Sequence, residues 1–303
     1  MINQKMMLSL IDVLKQKGEL ERKQAYWNTY HCLSKVYVSE GRLYGKYCKN
    51  RFCSLCCGIR KAEIIKRYFP IMKKWEAPFF LTITVKSATS HELNSRVNEM
   101  FRIFRLIVNK YKKRNQRGKG IKLIGVKSFE CNFNPLDQTY NPHFHLILPN
   151  LKIADTIMTE WRKQWQKEWG KKFVTQSAQC NIKVKDLENC LIEIIKYSSK
   201  IFTEPDVVDK SKKQSPLICV AAYDNIICAM KKHHIFGHFG FDLPKADKVI
   251  KGKTSTLTQY QELKFDSKQF DWVNVDSDEI LSGFLPTPEL SYLLENNFNM
   301  ALE

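Results

Sequence analysis

The hydrophobic and polar positions in the central part of the chain follow two periods, which predict alternating strands and helices. Residues 79–85 are a run of aromatic and β-branched side chains typical of a buried strand, whereas residues 92–113 carry apolar side chains at helical spacing. The pattern continues downstream in the order strand, helix, strand, strand, helix, strand, helix. The predicted segments are 79–85, 92–113, 121–133, a strand that starts at 143, 153–169, 181–185 and 187–201.

This order of elements predicts an α+β protein. Its core would be a central antiparallel sheet of the β-α-β-β-α-β type with helices packed on one face, and an N-terminal zinc-binding module would precede it. The two long central strands would be neighbours in a hairpin. We predict four parts along the chain: an N-terminal helix with a cysteine-rich module (1–75), the α+β core (76–205), a helical and basic extension (206–264) and an acidic tail (265–303).

Two histidines stand at alternate positions of the second central strand. His143 and His145 therefore project from the same face, and two imidazoles on one rigid face supply half of a divalent-metal site. Glu130, near the end of the preceding strand, would lie across the hairpin as a third, anionic ligand. Such a set suits Mn²⁺ or Mg²⁺ and leaves positions for phosphate oxygens. The alternative is a pair of core histidines whose ring nitrogens are satisfied by hydrogen bonds.

The helix predicted downstream carries a tyrosine between acidic and basic neighbours. Glu193, Tyr197 and Lys200 stand at i, i+4 and i+7, so they share one face. Tyr197 is the candidate nucleophile for cleaving a phosphodiester, and Lys200 or Lys196 would stabilise its phenolate or the charge on the phosphate. Glu193 is the candidate general base for a water that resolves a second cleavage. Taken singly, each residue better fits an ordinary amphipathic helix with a solvated charged face. Together with the histidine pair, these residues indicate catalysis.

A cluster of cysteines precedes the first strand of the core. The spacing C-x15-C-x4-C-x2-C suits a tetrahedral zinc site whose ligands are Cys32, Cys48, Cys53 and Cys56. His31 is an alternative to Cys32, and Cys57 would point elsewhere because it adjoins Cys56. The other interpretation is four buried structural cysteines.

The balance of charge favours a nucleic-acid partner. Lys and Arg number 49 against 31 Asp and Glu, which gives a formal charge of +18. Acidic residues predominate only in residues 265–303. The basic stretches 60–74 and 112–122 are the predicted phosphate contacts. No segment has the length and apolar character of a membrane span or a secretion signal, so we expect a cytoplasmic protein that does not bind membranes.

Four motifs in this order resemble those of the HUH endonucleases, and more closely the rolling-circle plasmid replication initiators with a single catalytic tyrosine. Residues 80–86 (FLTITVK) resemble the first motif. Residues 125–130 (GVKSFE) with 141–145 (NPHFH) resemble the metal-binding motif, and residues 193–200 (EIIKYSSK) resemble the tyrosine motif. The cysteine segment, residues 47–56, resembles one that these initiators carry upstream.

The resemblance implies a site-specific DNA endonuclease (nickase) and strand transferase. Such an initiator binds the double-strand origin of its plasmid and nicks one strand at an extruded hairpin, forming a 5′-phosphotyrosyl bond. The free 3′-hydroxyl primes rolling-circle replication by the host polymerase, with host helicase and single-strand-binding protein as further partners. A second cleavage then terminates the round.

Two other functions remain open from the sequence. A single-tyrosine HUH transposase or a mobilisation relaxase would share the histidine pair and the tyrosine. A non-catalytic, zinc-containing DNA-binding regulator would share the charge and the cysteines but would form no covalent bond to DNA. The sequence also leaves open a homodimer.

Overall fold

The computed structural model describes residues 2–19, 21–174, 179–196, 218–244, 259–269, 271–283, 285 and 298–299. The protein is a mixed α/β chain with antiparallel sheets and helices. The helices are α1 (Ile2–Gln16), α2 (Lys23–Tyr30), α3 (Ser54–Met72), α4 (Ser90–Gln116), α5 (Leu151–Trp169), α6 (Leu187–Lys196) and α7 (Val220–Met230). The strands are β1 (Lys35–Ser39), β2 (Arg42–Gly45), β3 (Phe79–Thr84), β4 (Gly125–Asn134), β5 (Thr139–Leu148), β6 (Gln179–Lys183), β7 (Ile218–Cys219), β8 (Phe236–Phe239), β9 (Gln261–Asp266), β10 (Asp271–Asn274) and β11 (Phe298–Asn299).

The chain forms two compact units. The first comprises Met1–Cys57, Ser215–Val220 and Ala246–Leu302. Its main sheet has the antiparallel order β10-β9-β1-β2, so strands from the two ends of the chain pair with each other. The predicted acidic tail started at residue 265, yet β10 and the end of β9 belong to this sheet. The two compact units therefore differ from the four parts predicted along the chain. The acidic tail was predicted from charge composition, which carries no information on strand pairing.

The second unit comprises Gly58–Gln214 and Ala221–Lys245. Its sheet is antiparallel in the order β6-β3-β5-β4-β8, and β3, α4, β4, β5, α5 and β6 follow one another along the chain. The central pair is long: β4 and β5 are in register from Val126 opposite Ile147 to Asn134 opposite Thr139. Local signals fix the helix starts, because Glu92 accepts a hydrogen bond from the N–H of Thr89 before α4.

Helices cover both faces of this sheet, so the prediction that they pack on one face is wrong. On one face, Phe144 of β5 contacts the rings of Phe104 of α4 and Trp161 of α5. The opposite face is packed by α3 and α6, in a cluster made of Tyr68, Met72, Val126, Ile147, Leu191, Ile194 and Ile195. The reason lies in the central strands, since nearly every residue of β5 is buried and a strand buried on both faces needs cover on both.

A short turn at residues 231–232 separates α7 from strand β8. Strand β8 pairs antiparallel with β4 and forms one edge of the five-stranded sheet. It ends at Phe239. The next residue is Gly240, whose φ is +78° and whose missing Cβ would lie 1.9 Å from the carbonyl oxygen of Leu123. Only glycine fits this close backbone approach. Among the described residues, no helix combines the length and the apolar character needed to cross a membrane.

Candidate functional site

Three side chains from the central strands of the second unit converge on one point. Glu130 of β4 is the register partner of His143 of β5, and His145 lies two residues further along β5, so all three share one face of the sheet. Glu130 Oε2 lies 3.2 Å from His143 Nε2 and 3.1 Å from His145 Nε2. All three residues are buried, and their ligand atoms lie within 4.8 Å of one another. This group could therefore hold a metal ion.

In each histidine ring, Nε2 faces Glu130 and Nδ1 makes a different hydrogen bond. The hydrogen bond at Nδ1 determines whether Nε2 carries a proton or presents a lone pair. His143 Nδ1 lies 2.9 Å from the carbonyl oxygen of Asn141, which can only accept, so Nδ1 carries the proton. His145 Nδ1 lies 3.0 Å from the hydroxyl of Thr82, which can accept in the same way. With the Thr82 hydroxyl accepting and both rings neutral, both Nε2 lone pairs face the carboxylate oxygen of Glu130. A cation resolves this convergence of lone pairs, so the donor set fits a divalent ion.

Strand β3 supports this centre next to His145. Thr82 is the register partner of His145, and the ring of Phe80 stacks on the imidazole at a centroid distance of 5.3 Å. On the other side, the hydroxyl of Ser128 is buried opposite His145, with no hydrogen-bond partner in the described part of the chain. Sequence reasoning did not single out these three residues. Phe80 and Thr82 could have been found from the alternation of side chains along β3. This alternation places every second residue of β3 on the sheet face that carries His143 and His145.

Replacing Thr82 by valine is expected to weaken Mn²⁺ binding by about 10- to 100-fold, because the His145 ring loses the hydroxyl that fixes its tautomer and orientation. Thr82→Ser is the matched control: it keeps the hydroxyl and should bind Mn²⁺ nearly as wild type. The measurement is the Mn²⁺ dissociation constant from electron paramagnetic resonance of the free ion. Equal affinities for wild type and Thr82→Val would contradict this role.

The residues predicted to carry out the chemistry are only partly described. Glu193 and Lys196 belong to α6, where their backbone alone is described, and Tyr197 and Lys200 lie outside the described residues. Helix α6 packs on Val126 and Ile147, which lie on the same sheet face as Glu130, His143 and His145. The described part of α6 therefore runs on the face of the metal centre and ends one residue before position 197.

A second convergent group lies in the first unit and consists of four sulfur atoms. The sulfurs lie within 4.8 Å of one another, and they belong to Cys32, Cys48, Cys53 and Cys56. The sulfur of Cys56 lies 3.6 Å from that of Cys32 and 3.7 Å from that of Cys48. Cys57 turns away, since its thiol donates to the carbonyl of Arg51 at 2.7 Å. His31 is exposed and stacks on Trp27. This group could bind zinc.

The surroundings of these sulfurs favour a thiolate at Cys48, whereas the hydrogen bond with Cys48 raises the pKa of the Cys32 thiol. The backbone N–H of Cys48 donates to the sulfur of Cys32 at 3.4 Å, and the N–H of Lys49 donates to the sulfur of Cys56 at 3.3 Å. Hydrogen bonds from Cys32 and then Cys53 lower the pKa of the Cys48 thiol. Such donors stabilise negative charge on sulfur, which is the form that binds a metal.

The fold and its two donor groups define an α/β protein with a carboxylate–histidine centre and a cysteine centre, each able to hold a metal ion. Residues 42–215, more than half of the chain, match the family model described as "Replication protein", and the chain belongs to this family. This membership confirms the resemblance to replication initiators drawn from the four motifs.

Several curated proteins, each called "Protein rep", are similar to this chain. The protein of Streptococcus pneumoniae serotype 2 (strain D39 / NCTC 7466) is 29% identical over 153 residues, which cover 46% of each chain. That of Staphylococcus aureus is 33% identical over 108 residues, 33% of this chain and 44% of the relative. The protein of Bacillus amyloliquefaciens is 30% identical over 108 residues, which cover 34% of this chain and 30% of the relative. The matched region spans less than half the length of each relative. No solved structure gives a significant match.

Proposed function

We propose that this protein is a plasmid replication initiator that nicks one strand of its double-strand origin. The observation that carries the proposal is the convergence of Glu130, His143 and His145 on the sheet face against which α6 packs. Membership of the replication protein family supports the role in replication. An initiator of this kind would work with host helicase, single-strand-binding protein and polymerase. Family membership favours an initiator over a transposase or a relaxase.

The proposed reaction is an in-line displacement at a phosphate of the DNA. Tyr197 Oη forms a bond to phosphorus, the bond to the 3′ oxygen breaks, and that oxygen takes up a proton and becomes the free 3′-hydroxyl. Lys196 or Lys200 stabilises the phenolate of Tyr197. Glu193 takes a proton from the water that acts in the second cleavage. Glu130, His143 and His145 would hold a divalent ion, Mn²⁺ or Mg²⁺, which when bound would polarise the phosphoryl oxygens as a Lewis acid.

Two basic stretches suit the binding of the DNA backbone. The second half of α3 exposes Lys66 and Arg67, and the turn after it exposes Lys73 and Lys74. Residues 112–120, which span the end of α4 and the turn after it, are exposed throughout. Exposed cations bind phosphates by releasing counterions, so binding should weaken as salt rises. These contacts would hold the origin, and base-specific contacts would come from elsewhere.

The test is incubation of the protein with labelled single-stranded DNA that spans the origin of its replicon, followed by a denaturing protein gel. With Mn²⁺ we expect a covalent protein–DNA band, and without divalent metal none. Glu130→Gln, which removes the anionic ligand, should need at least about tenfold more Mn²⁺ for the same rate. The control is Glu160→Gln, since Glu160 is buried on α5 and pairs with Lys110 instead.

Two outcomes would contradict the proposal. Nicking that needs no divalent metal would exclude the ligand role of Glu130, His143 and His145. Absence of the covalent band, with the correct origin and with DNA binding intact, would favour the zinc-containing DNA-binding regulator.

A further inference from the structure

The four-stranded sheet of the first unit carries three tyrosines side by side on one face. Tyr37 of β1 is the register partner of Tyr44 of β2, so both side chains lie on the same face. On the other side, the ring of Tyr37 meets that of Tyr260, just before β9, at a centroid distance of 5.2 Å in a T-shaped contact. Tyr260 is 52% exposed, and Tyr37 and Tyr44 are half-buried. We call these three residues the tyrosine face.

Basic side chains flank the tyrosine face. Lys35 and Arg42 each lie two residues from a tyrosine on the same strand, so they share its face, and Lys264 is the register partner of Lys35. All three are exposed. Like charges directly opposite each other on neighbouring strands are destabilising. Glu262 pairs with Lys35 at 3.1 Å and offsets one charge, so this set of side chains keeps a net positive charge.

A cleft adjoins the tyrosine face at Tyr37. Its volume is about 510 Å³, and its lining includes Lys35, Tyr37, Lys46 and His31. Pockets for small ligands usually measure roughly 300–1,000 Å³, so the cleft has room for a small planar group with its charged substituent. An aromatic wall with two lysines suits a base and its phosphate.

We infer that the tyrosine face binds single-stranded DNA. Unpaired bases stack on exposed aromatic rings, while Lys35, Arg42 and Lys264 contact the phosphates, and this combination binds single strands with little dependence on sequence. Bases of a duplex are already stacked on one another and would not be available to the rings. The choice of DNA as the nucleic acid rests on the proposed function. The surface itself needs neither Tyr197 nor the carboxylate–histidine centre.

The test is fluorescence anisotropy of the full chain with labelled oligo(dT) of about 16 nucleotides, the upper end of the usual site size, without added divalent metal. Tyr44→Ala and Tyr260→Ala should each weaken binding by about tenfold, whereas Tyr44→Phe and Tyr260→Phe, which keep the ring, should bind as wild type. The control is Leu43→Ala, because Leu43 is 56% exposed on the opposite face of β2. Unchanged thermal unfolding and zinc content would establish that the alanine variants are folded.

Three results would overturn the inference. The first is wild-type affinity for oligo(dT) in both alanine variants. The second is that these variants lose as much affinity for duplex DNA of the same length as for oligo(dT). The third is that the wild type binds oligo(U) of the same length more tightly than oligo(dT). Since the assay requires no nicking, its failure leaves the covalent-band test untouched. Conversely, a protein that forms no covalent band would still show the loss in the alanine variants if the tyrosine face binds DNA.

Discussion

Replacing Tyr197 by phenylalanine is expected to abolish the covalent DNA band and to lower nicking by at least about 10³-fold. The substitution removes one hydroxyl, which is the proposed nucleophile, and leaves the ring. Binding of the origin should therefore change by no more than about twofold, since a single contact is lost. The measurement is nicking of labelled single-stranded origin DNA with Mn²⁺, with binding followed in parallel by anisotropy.

Tyr68→Phe is the matched control for this experiment. Tyr68 is a buried tyrosine in the cluster that packs on the same sheet face, and its hydroxyl lies 3.1 Å from His238 Nδ1. This variant should keep the covalent band. Loss of the band in Tyr68→Phe but not in Tyr197→Phe would move the nucleophile to Tyr68, and loss of binding in Tyr197→Phe would indicate misfolding. Glu193→Ala should still nick in this assay. During replication of the plasmid it should fail to terminate, which would give linked multimers of the displaced strand.

Loss of zinc from the cysteine group is expected to unfold the first unit. Cys32 precedes β1, Cys48 follows β2, and Cys53 and Cys56 flank the start of α3, so one ion would join three segments. The hydrophobic contacts of this cluster are few: among the described residues, Leu33 and Cys48 are the partly buried hydrophobic side chains that pack against Cys32, Cys53 and Cys56. Structural zinc sites contribute on the order of 10 kcal/mol of binding free energy to folding. Cys48→Ser should therefore bind little zinc and lower the free energy of unfolding by several kcal/mol.

Cys57→Ser is the control for the zinc experiment, because Cys57 adjoins Cys56 in sequence but its thiol bonds to the carbonyl of Arg51. Metal content by mass spectrometry and thermal unfolding, compared among wild type, Cys48→Ser and Cys57→Ser, provide the measurement. Zinc should be stoichiometric in wild type and Cys57→Ser. Purified wild type without zinc, or equal zinc in Cys48→Ser, would contradict the assignment.

The hydrophobic periods were sufficient to predict the elements of the second unit from β3 to α6, but not α7 and β8. β3, α4, β4, β5, α5, β6 and α6 occur in the predicted order because each has a strong local pattern. The hydrophobic pattern could not predict whether helices cover one face of the five-stranded sheet or both. Strand β5 is buried on both sides, and a run of apolar residues is compatible with cover on one side or two. The pairing of β9 with β1 was also beyond a local pattern, because contacts between distant segments depend on the whole fold.

The carboxylate–histidine centre was predictable because it lies within one hairpin. Alternation put His143 and His145 on one face, and pairing of adjacent strands brought Glu130 opposite His143. Thr82 was not predictable as a partner of His145, because β3 joins β5 only through the order of strands in the complete sheet. The catalytic role of Tyr197 stays a prediction from its spacing and from the family resemblance.

The pairing of β1 with β9 has a consequence for how the protein is made. Ser39 and Gln259, which are joined by a hydrogen bond at this seam, are 220 positions apart. During translation β1 and β2 emerge long before β9, and until then one edge of β1 has no strand beside it. An open strand edge is a template for pairing with other chains. The nascent chain is therefore most vulnerable to aggregation while β9 is still inside the ribosome, and slower initiation of translation should raise the yield of folded protein.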